Sequence, residues 1–100
     1  MKNKLIVRFK DWNCRIDFRK YSNGRTAIVL VDPSDGEQVA VATVNIPELP
    51  LNKDFVIIKD YTENEGMLDA LISAGVVGQP LMMVETGYVK CPVCHLLINP

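Results

Sequence analysis

One hundred residues, 48% apolar and 23% charged, suffice for one hydrophobic core and are too few for two, and this balance excludes a disordered chain. The longest apolar runs, such as Ala27–Val31, fall far short of the roughly 20 residues that span a bilayer. Leu5–Val7 is too short for the core of a secretory signal, so a single domain over residues 1–100, cytoplasmic and with no membrane partner, is expected.

Three cysteines leave one unpaired under any disulfide scheme, which fits a reducing compartment. The net charge of −1 hides an asymmetry. Residues 1–25 carry eight Lys/Arg against Asp11 and Asp17, a net +6, and residues 26–100 carry three Lys against ten acids, a net −7.

Residues 4–10, KLIVRFK, alternate, with Leu5, Val7 and Phe9 on one side and Arg8 and Lys10 on the other, the period of a half-buried strand. Asp11-Trp12-Asn13 reads as a turn. CRIDFRKY (14–21) alternates again, Cys14, Ile16 and Phe18 inward, Arg15, Asp17, Arg19 and Tyr21 outward. Asn23-Gly24 is a strong hairpin signal, because both residue types tolerate positive φ. TAIVLVD (26–32) follows as a more buried strand, then the turn Asp32-Pro33-Ser34-Asp35-Gly36, then EQVAVATV (37–44). These four strands predict an antiparallel meander.

Pro47 and Pro50 break the ladder, since neither donates to it. FVIIK (55–59) predicts a short strand. Thr62-Glu63-Asn64-Glu65 has the form of a capping box, followed by Met67, Leu68, Leu71 and Ile72 at helical spacing, with Gly75 to stop the helix. Gly66 inside the first turn weakens that helix by about 1 kcal/mol relative to alanine. Residues 81–90 read as a last strand leading into the cysteines. The expected fold is α+β, a twisted, mainly antiparallel sheet of five or six strands with one helix packed on a face.

The segment YVKCPVCHLLINP (88–100) holds the most chemistry-like residues. Cys91-x-x-Cys94-His95 matches a c-type haem attachment sequence in form, but that chemistry belongs outside the cytosol, and too little chain follows to wrap a porphyrin. A redox pair needs a helix N-terminus to lower a thiol pKa, and HLLINP is at most one turn. Two readings stay open. One is half of a zinc knuckle, Cys91 and Cys94 aimed at one ion by a tight turn and completed by Cys14 and His95 or by a second chain in a dimer. The other is a pair of small buried hydrophobes anchoring the C-terminal tail.

No Gly-rich phosphate loop, zinc-protease motif or nucleophile elbow is present, and the one histidine is His95. A non-enzymatic chain is expected. If the first two strands pair, Arg8, Lys10, Arg15 and Arg19 share a solvated sheet face with Tyr21 and Trp12 at its edge. Such a face is either a partner-binding site for an acidic surface or a single-stranded nucleic acid, or simply the wetted side of a sheet.

The stretches KYSNGRTAIVLVD (20–32), VATVNIPELPL (41–51), DYTENEGMLDALISAGVV (60–77) and GYVKCPVC (87–94) resemble a family of small proteins encoded on phages, plasmids and conjugative elements of gut bacteria. Some members act as anti-CRISPR inhibitors of type II RNA-guided nucleases. The resemblance implies a mobile-element protein that binds such a nuclease directly, its acidic 54–69 region against a basic channel and its arginine face against an acidic surface. It assigns no functional residue. The alternative is a zinc-stabilised, nucleic-acid-binding regulator of the element's own genes.

Overall fold

The computed structural model describes residues 5–98; Lys2 and Lys4 of the basic half, and Asn99 and Pro100, lie outside them. Ile6–Phe9 (β1) and Trp12–Lys20 (β2) pair antiparallel about Lys10-Asp11. Lys10 adopts the left-handed φ of 55° that a two-residue reversal demands of at least one residue. The turn expected at Asp11–Asn13 is therefore shorter: Trp12 and Asn13 already belong to β2, opposite Phe9 and Arg8.

Thr26–Val31 (β3) pairs with β2, and Gln38–Val41 (β4) pairs with β3, giving a sheet in the order β1-β2-β3-β4. The four-strand meander is as expected. Its turns close through backbone and side-chain bonds. Gly24 and Gly36 take positive φ, Tyr21 N–H donates to Arg25 O, and Ser34 N–H donates to the Asp32 carboxylate. Asn23 stays outside the left-handed region, so Gly24 alone supplies it.

The strand expected over 37–44 splits at Ala42, after which Thr43–Val44 (β5) leaves β3 and pairs with Phe55–Ile58 (β6). Residues 81–95 form a hairpin where one strand was expected: Met82–Thr86 (β7) and Val89–His95 (β8) reverse at Gly87-Tyr88, Gly87 at φ 63°. The second sheet runs β5-β6-β8-β7, so the described residues hold eight strands in two antiparallel sheets.

Residues Thr62–Asn64 form a 3₁₀ turn and Met67–Ser73 the helix α1. The capping box does not form. Gly66 is the cap, at φ 97°, and its N–H and that of Leu68 both donate to Asp60 Oδ1 at 3.0 Å. Asp60 thus satisfies two of the donors that a helix start leaves free, and Gly66 is a requirement of the reversal rather than a weakness within the helix.

The central core lies between the two sheets and the helix. It joins Val7, Phe9, Cys14, Ile28 and Leu30 to Val56, Ile58 and Cys94, with Met67 and Leu71 from α1. A smaller cluster of Ile57, Cys91 and Val93 fills the far face of the second sheet, under the loop carrying Ile46, Leu49 and Leu51. Arg25 fastens that loop, its guanidinium donating to Ile46 O at 2.8 Å and to Leu49 O. The chain is α+β and mainly antiparallel sheet, and among the described residues no helix is long and apolar enough to cross a membrane.

Candidate functional site

Cys91-Pro92-Val93-Cys94 is extended strand within β8, not a knuckle turn. Successive side chains in a strand point to opposite faces, so residues three apart diverge. Cys94 joins the central core with Cys14; Cys91 joins the outer cluster, on the face where His95 meets Phe55 edge-on at a ring distance of 5.7 Å. The four ligands expected for zinc divide two and two across a sheet. Among the described residues no three His, Cys, Asp or Glu side chains gather as a metal site.

All three thiols are free and buried. Burial pushes the Cys91 thiol up and the Cys94 thiol up to about 11; Cys14 is raised by burial and then by the charge of Asp32. A neutral, enclosed thiol is a poor nucleophile. The motif builds core.

The arginine face takes shape in part. In β1 and β2, Val7, Phe9, Cys14, Ile16 and Phe18 turn inward, which leaves Arg8, Arg15 and Arg19 on the opposite, outer side. Arg8 donates to Asn13 Oδ1 at 3.1 Å, and Arg19 bonds Asp17 at 2.8 Å. Arg15 lies between them, exposed and without a carboxylate partner among the described residues. Across the ladder from Arg15, Asp17 and Arg19 stand Val31, Val29 and Ala27, all buried. The arginine stems run beside this apolar strand while their charged ends reach water.

Lys10 and Tyr21 stand apart from that face. The Lys10 ammonium donates to Glu63 O at 2.8 Å and lies 5.3 Å from the Phe9 ring centroid. The Tyr21 hydroxyl donates to Thr43 O at 3.1 Å and bonds Thr43 Oγ1 at 2.9 Å, a tie between the two sheets. Trp12 also leaves the arginine side, because it shares the parity of Cys14.

A groove of about 440 Å³ lies where Phe9, Lys10 and Trp12 approach Asp35, Glu37 and Glu63. Sequence reasoning missed this meeting of the first hairpin with the Asp32–Gly36 turn. Its only trace there was the acid-rich DPSDGE (32–37). Asp32, Asp35 and Glu63 on its rim are engaged locally. Lys59 and Thr62 hydrogen bonds hold the Glu63 carboxyl down to about 2, and the bonds from Ser34 lower that of Asp32.

Compared with known proteins, the chain matches no family model, no curated protein and no solved structure.

Proposed function

We propose that this chain is a non-enzymatic binding protein that docks the outer face of its first sheet on an acidic macromolecular surface. The observation that carries the reading is the row Arg8, Arg15, Arg19 on one exposed side, with Asn13 and Asp17 holding the outer two guanidiniums. A rigid sheet limits the entropy lost on docking, and a guanidinium binds carboxylate or phosphate with two parallel bonds. Arg15, exposed and opposite the exposed Ile6, is the anchor.

The resemblance to mobile-element proteins directs the reading to one partner class, a type II RNA-guided nuclease. Such an enzyme needs mobile domains to reach its cleaving state, and a small protein wedged against one of them blocks that motion without chemistry. A cleavage assay with purified nuclease, guide and target tests it. Inhibition by the native chain, lost in Arg8→Glu/Arg15→Glu and weakened as salt shortens the Debye length from about 10 Å at 0.1 M to about 3 Å at 1 M, supports it. Unchanged cleavage at saturating protein sinks it for that nuclease. Capture of single-stranded DNA or RNA by the same arginines replaces the protein partner with a nucleic acid.

A further inference from the structure

Strand β7 is an outer strand of the second sheet, paired with β8 on one side only. Edge strands of monomeric proteins are commonly guarded by lysine, proline or a bulge. Met82-Met83-Val84-Glu85-Thr86 has no lysine, proline or bulge and a single charge, Glu85, and its register with β8 runs unbroken from Met82–Val93 to Thr86–Val89. The apolar side chains around it are exposed: Leu81 at 57%, Met82 at 46%, Met83 at 53%, with Tyr88 at the hairpin tip fully in water.

The hairpin geometry fixes which backbone groups are free. In a two-residue hairpin the closing pair, here Thr86–Val89, exchanges hydrogen bonds, and bonded and non-bonded pairs then alternate. Thr86, Val84 and Met82 therefore aim their N–H and C=O groups at β8, and Met83 and Glu85 aim theirs outward. This agrees with the place of Pro92, which has no N–H to give and lies opposite the non-bonded Met83.

We propose that β7 pairs antiparallel with β7 of a second copy of this chain, extending two four-stranded sheets into one of eight strands across a two-fold axis. Charge selects the register. Outward groups must meet outward groups, so Met83 meets Met83, Met83 meets Glu85, or Glu85 meets Glu85 of the second copy. The last opposes like charges directly. The first leaves both Glu85 ladders without each other or Met83. Met83 against Glu85 forms four hydrogen bonds, sets Val84 against Val84 on the axis, and places Met82 beside Thr86. Each Glu85 also keeps its cross-strand Lys90. The edge is complementary to itself.

Sedimentation or light scattering of the full chain reads the prediction: twice the chain mass of 11.2 kDa at millimolar concentration, reverting to the single mass in Met83→Glu, which sets like charges against each other in both bonded pairs. The exposed site of Met83 leaves the fold intact, which a circular dichroism melt verifies. Val84→Cys reads the register independently. On the axis, in a non-bonded pair with its Cβ atoms about 4.5–5.5 Å apart, it cross-links on mild oxidation, whereas Met82→Cys does not. A monomer throughout, a dimer that survives Met83→Glu, or cross-linking through Met82→Cys and not Val84→Cys overturns the proposal.

Discussion

Cys91 and Cys94 stand on opposite faces of one strand, one thiol in the outer cluster with Ile57 and Val93, the other in the central core with Val56 and Ile58. The separation has a direct consequence. A thiol reagent titrates the native chain slowly and all three cysteines at once after unfolding, and added Zn²⁺ leaves the melting temperature unchanged. A rise in melting temperature with zinc would show that β8 does not hold the two thiols apart.

The Cys94 thiol also shapes alkaline stability. Its folded pKa of about 11 lies above the ordinary 9.0, so the unfolded chain loses this proton first. The contribution is present in full below pH 9 and falls away as pH rises toward 11. Urea midpoints measured at pH 8 and above pH 10 read the loss, and Cys94→Ala, stable enough to compare, shows a smaller one.

At the acid end the relevant group is Glu63, held down to about 2 first by Lys59, at 2.6 Å, and then by Thr62. A depressed carboxyl stabilises above its ordinary pKa of 4.5 and ceases to as pH falls toward 2. Glu63→Gln flattens the acid limb of the stability curve. The effect is small because the pair is exposed and screened by salt.

Arg25 belongs to the basic N-terminal quarter by sequence and to the loop clasp by structure. Arg25→Ala removes two charged-group hydrogen bonds to the carbonyls of Ile46 and Leu49, each worth about 1.5–3 kcal/mol. Partial relaxation of the loop makes a net loss of about 2 kcal/mol the expected outcome, a fall of roughly 8–16 °C in melting temperature for a domain of this size. Arg25→Lys recovers little of it, since an ammonium does not reach both carbonyls with a planar fork. Arg15→Ala, on the exposed face, changes the melting temperature by far less.

Asp60, rather than Thr62, starts the helix. Asp60→Ala destabilises by about 1 kcal/mol, the ordinary worth of an N-terminal cap, while Glu65→Ala is close to neutral. Paired thermal melts decide between them. The reverse order would restore the Thr62–Glu65 capping box.

The alternation of Leu5, Val7, Phe9 and of Cys14, Ile16, Phe18 made the first sheet legible, because a strand with one buried face writes a period of two into its sequence. Met67, Leu68, Leu71 and Ile72 did the same for α1. The last hairpin was harder to read. Leu81, Met82, Met83 and Val84 are apolar without alternation, and the single Gly87 that turns the chain carries no asparagine or aspartate beside it. The exposed Leu81, Met82 and Met83 break the rule that apolar means inside.

The sequence by itself determined the class of fold, the meander, the helix and the arginines of the outer face. Each follows from local periodicity and from where charged side chains can stay hydrated. Tertiary structure decided where Cys91 and Cys94 point. Their spacing suits a metal-binding turn or an extended strand equally well, and pairing with β6 and β7 on both sides made it a strand. Once extended, residues three apart must face opposite ways, and a motif that reads as one site becomes part of two cores.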